Sequence, residues 1–567
     1  MIIQLVFTLL SLITLINALT GNHSLEATYE EDVHTIQTIK VVGNKFFLSQ
    51  TGEQFFIKGI SYQKTRQEGE MYDNSKEPHY IDSMANPFSC LRDLEYLKEL
   101  GVNLVRVYQI LPTANHDVCM NAFAEAGIYV LADLSEPYLS IRRDFPHWDT
   151  QLLSRYQQVI DSMHKYDNVL GFFAGNEVTN SPMTTAASPF VRAAIRDSKA
   201  YIKKKGYRKI PIGYASNDDT AFRDNLANYF VCNIDGSDDG SVDFFAINVY
   251  EWCGYSTYST SGYRHLTVEF SDFPVPIFFS EYGCNIVSPR PFTEVEAIYG
   301  TTMSKVFSGG IAYEYYEEVN HYGIVIEKKD GQIVKLADFD TLKFRLESAA
   351  PKGISIDQVS KPAEIVCNKP DGLWDVSFSL PHAPDEGKCE CLLKSLDCII
   401  PKDRAFDEVS FLSKICQEVD CDAISADGRL GKYGLYSDCD SRTRASLILN
   451  DFYHDANESQ EVCYNGYGEV IRKDQSLGLN ALFSSDGRNC YKVLNPKLLD
   501  EEKLSNVSAI PVVSTNKTKL PEEFKKEHNK KKLNATISVN SSDGERVFIH
   551  CWYCFLQAII ALVTFLI

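Results

Sequence analysis

The chain has 567 residues, of which 44% are hydrophobic, and its formal net charge is −20 at pH 7. This length and apolar content indicate a globular, enzyme-sized protein of two or three domains. The acidic balance argues against a nucleic-acid partner, because negatively charged phosphates would be repelled.

The N-terminal residues 1–18 are almost wholly apolar, and the α-amino group is their only positive charge. Ala18 and Thr20 are small residues that offer a cleavage point. This pattern predicts a signal peptide over residues 1–20 and therefore entry into the secretory pathway.

Eight short apolar runs follow, and each predicts a buried strand. Helical patterns lie between several of them, as at 90–101, where four leucines fall near one face and Gly101 provides the C-terminal stop. The repeated strand–helix unit predicts an α/β fold, a (β/α)₈ TIM barrel, over residues 21–340. The eight runs lie at 55–63, 102–110, 127–134, 169–177, 211–216, 244–250, 276–283 and 309–317.

Two of these runs carry a glutamate at their C-terminal end, Glu177 as the last residue of the fourth and Glu281 two residues before the end of the seventh. A charge at the end of a buried strand has no structural reason, whereas the C-terminal ends of barrel strands carry the active site. Asn176 directly precedes Glu177. The two glutamates therefore lie where a carbohydrate-cleaving barrel has its two carboxylates.

The 16 cysteines divide the rest of the chain. Six are spread from Cys90 to Cys367, eight crowd between Cys389 and Cys490, and two lie in the C-terminal tail. In an oxidising compartment the even number of the first fourteen predicts disulfides. A linker at 341–388 therefore leads to a small cysteine-rich module at 389–492, whose thin core depends on its disulfides.

The polar stretch at 493–540 contains a run of lysines and predicts a solvated, glycosylated stalk, with a binding patch as the alternative. Small residues, a polar spacer and an apolar tail then predict a removed GPI-attachment signal over 541–567, with Asn540 as the attachment site. A single-pass tail anchor is the alternative. Glycosylation motifs lie at Asn22, Asn457, Asn506, Asn516 and Asn534.

Five motifs lie in order on the predicted strands, and together they resemble the fungal β-1,3-glucanosyltransferases of the Gas/Gel/Phr type, glycoside hydrolase family 72. They are GISYQ at 59–63, NLVRVY at 103–108, LADL at 131–134, GNE at 175–177 and SEYG at 280–283. The cysteine-rich module is similar to carbohydrate-binding module family 43, through CEC at 389–391 and GKYGLYSDC at 431–439. The likeness covers nearly the whole mature chain.

The resemblance implies that Glu177 is the general acid/base and Glu281 the nucleophile of a retaining mechanism, which needs the carboxyl groups about 5 to 5.5 Å apart. Asn176 would hydrogen-bond the hydroxyl next to the anomeric carbon. Strand alternation directs Arg106 and Tyr108 into the barrel mouth, where the guanidinium would hold Glu281 ionised. A purely structural salt bridge is the alternative for Arg106.

Further substrate contacts are expected from Gln63, Asp133 and Tyr250. Among the tyrosines of the eighth run, strand alternation separates Tyr313 and Tyr315 from Tyr316, and we favour Tyr313 as a sugar platform, with Tyr322 as a second one in the following loop. Asp133 and Glu136 end the third run and are an alternative source of one catalytic carboxylate. The remaining acids of the eighth run are expected to be solvated or structural: Glu314, Glu317 and Glu318.

The resemblance also implies three disulfides, Cys90–Cys119, Cys232–Cys367 and Cys253–Cys284. The pairing inside the cysteine-rich module stays open, as does its role, which is either glucan binding or support of the barrel. No cofactor or metal is expected, because outside these disulfides no His, Cys or Asp cluster has ligand spacing.

By resemblance, the protein is a monomeric cell-surface enzyme, GPI-anchored on the outer face of the plasma membrane or passed to the wall, that elongates β-1,3-glucan. Transfer and hydrolysis share the covalent intermediate, and no motif separates them. A hydrolytic endo-β-1,3-glucanase and a non-catalytic glucan-binding protein are therefore the alternatives. The sequence does not indicate donor or acceptor length, branching activity or life-cycle stage.

Overall fold

The computed structural model describes residues 36–65, 80–234, 236–237, 239–359, 365–471 and 482–495. The predicted signal peptide, stalk and GPI signal lie outside these ranges, together with Asn540 and four of the five glycosylation motifs. Asn457 lies inside them, just after the helix Ser441–Asp455. Within the described ranges, no helix combines the length and apolar character needed to cross a bilayer.

Eight parallel strands form a closed barrel in which each strand pairs with the next and the last pairs with the first. This confirms the predicted TIM barrel. The strands are β1 (Ile57–Ser61), β2 (Leu104–Val107), β3 (Tyr129–Asp133), β4 (Val169–Asn176), β5 (Ile212–Asn217), β6 (Phe244–Asn248), β7 (Ile277–Tyr282) and β8 (Phe307–Ala312).

The predicted limits of the eighth strand are wrong. The predicted run begins at Gly309, but β8 begins at Phe307 and ends at Ala312. Gly309 has φ +102°, and a Cβ there would lie 2.1 Å from the Ile57 carbonyl oxygen, so glycine permits the close approach of β8 to β1. The acids and tyrosines from Tyr313 onward therefore lie in a loop rather than in the strand.

Helices surround the barrel, and Pro87–Leu100 shows how the sequence sets their limits. Asn86 caps the helix by accepting a hydrogen bond from the Ser89 amide, and Gly101 ends it with φ +77°. Three of the four predicted leucines are buried, whereas Leu91 is exposed. The other barrel helices are Asp117–Glu125, Thr150–Met163, Ser188–Lys205, Arg223–Val231, Tyr263–Glu269, Glu294–Ile298 and Ala337–Ser348.

Three short strands, Ile39–Val42, Lys45–Leu48 and Gln54–Phe55, form an antiparallel sheet before β1. Phe46 of this sheet packs against Phe244 and Phe278, with ring centroids 6.0 Å apart in each case, and all three rings belong to one buried cluster. Phe244 opens β6, so this cluster fills the N-terminal end of the barrel and leaves the C-terminal ends of the strands for function.

The cysteine-rich module has its own buried cluster, which draws on its helices and on the Cys389–Cys439 and Cys398–Cys463 disulfides. It belongs to the same compact unit as the barrel. Its helices are Glu386–Ser395, Glu408–Ile415, Ser441–Asp455, Gln460–Asn465 and Cys490–Leu494. Short strand pairs join Cys398–Ile399 to Glu469–Val470 and Ala426–Asp427 to Lys432–Tyr433.

The disulfides of the barrel are the three pairs that the resemblance implies, Cys90–Cys119, Cys232–Cys367 and Cys253–Cys284. The Cys253–Cys284 disulfide joins the loops that follow β6 and β7. The Cys232–Cys367 disulfide connects the linker to the barrel. The structure also gives the pairing that the sequence leaves open in the module: Cys389–Cys439, Cys391–Cys490, Cys398–Cys463 and Cys416–Cys421.

Candidate active site

The two glutamates reach the C-terminal end of the barrel on different strands. Glu177 directly follows β4, and its backbone amide donates to the Ala215 carbonyl at 2.8 Å. Its φ of 48° lies in the left-handed region, where a residue with a side chain is strained. Glu281 lies within β7 and is 8% exposed.

Three donors hold the Glu281 carboxylate. Oε1 accepts from the Tyr108 hydroxyl at 2.9 Å and from Arg106 Nη1 at 3.2 Å. Oε2 accepts from the Tyr250 hydroxyl at 2.8 Å. Such charge-assisted hydrogen bonds favour the ionised form of a carboxyl group and fix its orientation. Glu281 is therefore a buried, oriented carboxylate, as a nucleophile requires.

The pKa of Glu281 reflects opposing effects. Burial raises this pKa above its usual range, the positive charge of Arg106 and the hydrogen bonds from Tyr250 and Tyr108 lower it, and the charge of Glu177 raises it. Since burial disfavours the charged form, Glu281 depends on its donors to stay ionised near neutral pH.

Arg106 connects three acceptors at the centre of the site. It is fully buried, and besides Glu281 it contacts both Asp133 oxygens at 3.3 Å and donates to Asn176 Oδ1 at 2.9 Å. Its guanidinium also lies 4.5 Å from the centroid of the Phe173 ring. The predicted structural salt bridge is therefore present, with Asp133, but the same guanidinium also contacts the Glu281 carboxylate.

Asn248, the last residue of β6, contacts the other glutamate. Its Nδ2 donates to Glu177 Oε1 at 2.8 Å and to Asn176 Oδ1 at 3.3 Å. Its Oδ1 accepts from the Ser280 hydroxyl at 2.7 Å. Because Asn176 Oδ1 accepts from both Arg106 and Asn248, the Nδ2 group of Asn176 is the part of its amide left for a sugar hydroxyl.

Our sequence analysis missed Asn248 and Ser280. Asn248 carries the same signal as the two glutamates, a polar residue at the end of an apolar strand. The predicted sixth run extends to residue 250 and thus hides it inside the strand. Ser280 gives no such signal, because it lies inside the seventh apolar run and not at its end.

Gln63 and Asp133 make their observed contacts with the protein. Gln63 is 2% exposed, its Oε1 accepts from the Tyr108 amide at 3.0 Å, and its Nε2 donates to the Ile81 carbonyl at 2.7 Å. Asp133 is paired with Arg106, and burial raises its pKa. In this structure both residues hold neighbours of Glu281 in place, and direct sugar contact stays a prediction.

Four tyrosines form a cluster beside Glu281, here called the tyrosine cluster: Tyr108, Tyr250, Tyr313 and Tyr322. The Tyr313 ring lies 5.4 Å from that of Tyr322, 6.4 Å from that of Tyr250 and 6.5 Å from that of Tyr108, measured between centroids. Aromatic faces of this kind bind the apolar face of a pyranose. The cluster includes both tyrosines that the sequence favours as sugar platforms.

Tyr315 and Tyr316 are buried and pack against Tyr62, with centroids 5.5 and 5.7 Å from its ring. They belong to the hydrophobic core and not to the tyrosine cluster.

The neighbouring acids are structural. Glu314 is 2% exposed, which contradicts solvation, and it accepts from Asn320 Nδ2 at 2.8 Å. Glu317 accepts from the Gly323 amide at 2.9 Å, and Glu318 accepts from the Thr65 amide at 2.6 Å.

The alternative of a catalytic carboxylate from the end of the third strand receives no geometric support. Glu136 lies 3.5 Å from Arg155 Nη1 and accepts a hydrogen bond from Gln109 Nε2. Its carboxyl group therefore contacts these two residues and not Glu177 or Glu281. Among the described residues, the one cluster of metal-ligand types is Cys389, Asp438 and Cys439, and its two sulfurs are bonded to each other. A disulfide does not provide the thiolates that bind a metal.

Two family models match the chain: Glucanosyltransferase over residues 28–350 and X8 domain over residues 396–468. The chain is 62% identical over 491 residues to the 1,3-beta-glucanosyltransferase PGA5 of Candida albicans, covering 82% of this chain and 76% of that protein. It is 51% identical over 429 residues to the 1,3-beta-glucanosyltransferase GAS2 of Saccharomyces cerevisiae, covering 73% of this chain and 76% of that protein.

Solved structures of Saccharomyces cerevisiae Gas2p are similar to this one. A ligand-free glutamate-to-glutamine mutant superimposes with a TM-score of 0.75 at 46% identity, covering 82% of this chain and 97% of that chain. The same mutant in complex with laminaritetraose and laminaripentaose gives a TM-score of 0.71 at 46% identity, covering 82% of this chain and 99% of that chain.

Proposed function

Because the chain belongs to the glucanosyltransferase family, glycoside hydrolase family 72, we propose that it is a retaining β-1,3-glucanosyltransferase that elongates cell-wall β-1,3-glucan. It cleaves an internal β-1,3-linkage of one chain and transfers the covalently held part to the non-reducing end of another. The observation that carries this proposal is the pair of glutamates at the ends of β4 and β7, with Glu281 held by three donors.

In the first step, a Glu281 oxygen attacks the anomeric carbon as the glycosidic carbon–oxygen bond breaks. The leaving oxygen takes the proton of Glu177, so a neutral sugar hydroxyl departs and a glycosyl ester remains on Glu281. Tyr108, Tyr250 and Arg106 hold the nucleophile ionised and aimed before substrate arrives. Orienting the carboxylate in advance lowers the entropy cost of the attack.

In the second step, Glu177 acts as a base. It takes the proton of an acceptor hydroxyl, whose oxygen attacks the anomeric carbon and releases Glu281 as a carboxylate. The Nδ2 group of Asn176 is available to a hydroxyl near the reacting carbon. The tyrosine cluster offers apolar faces to the sugar rings, which favours a bound glucan chain over water as the acceptor.

The product profile tests transfer against hydrolysis. The secreted chain, truncated before Asn540, is incubated with a reduced linear β-1,3-gluco-oligosaccharide, and the products are analysed by mass spectrometry. We expect products longer than the donor. Only shorter products would make the protein an endo-β-1,3-glucanase, and no products from folded protein would favour a glucan-binding protein.

Glu281→Gln removes the nucleophile but keeps the size and most contacts of the side chain. We expect turnover to fall by at least about 10⁴-fold, because the covalent step is lost. Binding of laminari-oligosaccharides, measured by calorimetry, should persist. Turnover that survives the substitution would disprove the assignment of Glu281.

We further propose that the mature protein is a monomer on the outer face of the plasma membrane, held by a GPI anchor at Asn540. The apolar residues 1–18 and the small-residue, spacer and tail pattern of 540–567 support the surface location and the anchor. Release of the native protein from membranes by phosphatidylinositol-specific phospholipase C is the expected result. Retention after complete digestion would favour the tail anchor.

A further inference from the structure

We propose that Asn248 is a positioning residue for the acid/base, which selects the oxygen of Glu177 that carries the reacting proton. This inference rests on the proposed function, because it assigns a role within the first step of the retaining mechanism.

The contacts of Asn248 use both ends of its amide. Its Nδ2 donates to Glu177 Oε1 at 2.8 Å and to Asn176 Oδ1 at 3.3 Å, and its Oδ1 accepts from Ser280 Oγ at 2.7 Å. The Ser280 hydroxyl is fully buried and Asn248 is 4% exposed. A buried amide bonded at both ends is held in one orientation, because turning it would leave polar groups unpaired.

The backbone places Asn248 between the two glutamates. Asn248 pairs with Glu281 across β6 and β7, directly after a register shift that follows Ile247. Irregular pairing of this kind next to an active site re-aims a side chain. Ser280, which orients Asn248, is the residue before the nucleophile, so one hydrogen-bonded chain links the strand of Glu281 to the carboxyl group of Glu177.

The direction of this hydrogen bond decides where the acid proton lies. Glu177 Oε1 accepts an N–H from Asn248, and a proton on the same oxygen would compete with that donor. The proton of the neutral acid therefore belongs on Oε2, which is left to face the leaving oxygen. After the proton is transferred, the same N–H stabilises the new carboxylate.

The test compares donors whose leaving groups differ in their need for the acid. One donor is a linear β-1,3-gluco-oligosaccharide, whose sugar leaving group must be protonated. The other is a laminari-oligosaccharide with a 2,4-dinitrophenyl aglycone, which departs without protonation. The kcat/KM for each donor reports the first step and is measured for the wild type and for Asn248→Ala.

For Asn248→Ala we expect kcat/KM on the oligosaccharide to fall about 10- to 100-fold, since a misplaced acid loses most of its contribution. On the dinitrophenyl donor the loss should be less than about threefold, because that step does not use the acid. A purely structural role would lower both values by the same factor.

Ser280→Ala is the second variant, because it removes a single hydroxyl group and is the milder change to the fold. It leaves Asn248 Oδ1 without its hydrogen bond. We expect kcat/KM on the oligosaccharide donor to fall about three- to tenfold, without a matching loss on the dinitrophenyl donor. Asn103→Ala is the matched control. The Asn103 amide bridges the Lys58 amide and the Phe56 carbonyl beside β1, away from both glutamates. This control should lower thermal stability without changing the ratio of the two kcat/KM values.

A selective loss in both site variants supports the inference. Equal losses on the two donors, in variants that fold by circular dichroism, would overturn it and leave the proposed function intact. Failure of the wild type to act on either donor would instead refute the proposed function itself.

Discussion

The carboxylate of Glu281 is buried, yet it accepts three hydrogen bonds, from Arg106 of β2, from Tyr108 directly after β2 and from Tyr250 in the loop after β6. A group in this position is sensitive to the loss of any one donor, because burial alone favours its neutral form. Tyr250 is the residue best suited to test the effect of losing one donor. It supplies the hydrogen bond to Oε2, and its ring contacts with Tyr313 and Tyr322 remain when only the hydroxyl is removed.

Tyr250→Phe should reduce kcat/KM about 10- to 100-fold, as expected for a hydrogen bond to a charged group. Losing the donor raises the pKa of Glu281 further, and the nucleophile works only when ionised. The acid limb of the pH–rate profile should therefore move to higher pH, and the deficit should shrink as pH rises.

The control for this variant is Tyr299→Phe, which removes a buried hydroxyl that donates to the Ile57 carbonyl at 2.6 Å. It should affect stability and not the acid limb. An unchanged acid limb in Tyr250→Phe would mean that the hydroxyl does not control the charge of Glu281.

At the scale of elements, the loop after β8 combines two predicted sugar platforms, Tyr313 and Tyr322, with a buried acid. Glu314 lies between Tyr313 and Tyr315, and burial raises its pKa to about 8, helped by the nearby charges of Glu318 and Glu281. This folded-state pKa lies above the unfolded value of about 4.3. The folded loop therefore binds a proton that the unfolded chain releases between these two values.

The stability that this proton contributes is fully present below about pH 4.3 and is lost as pH rises through about 8. We expect Glu314→Gln, which stays neutral, to become more stable than the wild type over this interval, by about 3–5 kcal/mol at pH 8. Urea unfolding at several pH values measures the difference.

The control is Glu95→Gln, on the exposed surface of a barrel helix, where Glu95 lies 3.4 Å from Lys98. Its effect on unfolding free energy should stay within about 0.5 kcal/mol at every pH. A pH-independent difference for Glu314→Gln would show that its carboxyl group does not titrate as proposed.

At the scale of the whole molecule, a buried ion pair joins the cysteine-rich module to the barrel. Arg444 is 2% exposed and lies 2.8 Å from Glu408 within the module and 3.1 Å from Asp149 of the barrel. Asp149 also caps the barrel helix that begins at Thr150, by accepting from the Leu152 amide at 3.0 Å. These contacts support a structural role for the module.

Arg444→Met leaves the buried carboxylate of Asp149 and the partly buried one of Glu408 without their cation. We expect a loss of about 3–5 kcal/mol in unfolding free energy, with the barrel and the module melting separately in calorimetry. Arg442→Met is the matched control, because Arg442 starts from the same helix but donates to the Pro401 and Arg404 carbonyls inside the module. Equal effects of the two variants would argue against coupling through Arg444.

Much of the barrel and the identity of the two glutamates follow from local patterns. A buried parallel strand requires an apolar run, and Glu177 and Glu281 stand out because each ends one. The end of β8 was misplaced because its apolar run continues through Tyr315 and Tyr316, which are buried in a loop and not in a strand. Apolar content reports burial, and it does not by itself report strand pairing.

Residue type and spacing along the chain were enough to predict the fold class and the two carboxylates, and five motifs were enough to indicate the family. The contacts of Asn248, Ser280 and Arg444 exist only in the folded chain. Asn248 reaches Glu177 through barrel closure and a register shift, and Arg444 meets Asp149 across 295 residues of sequence. Such contacts depend on how distant elements are brought together, which no local pattern along the chain encodes.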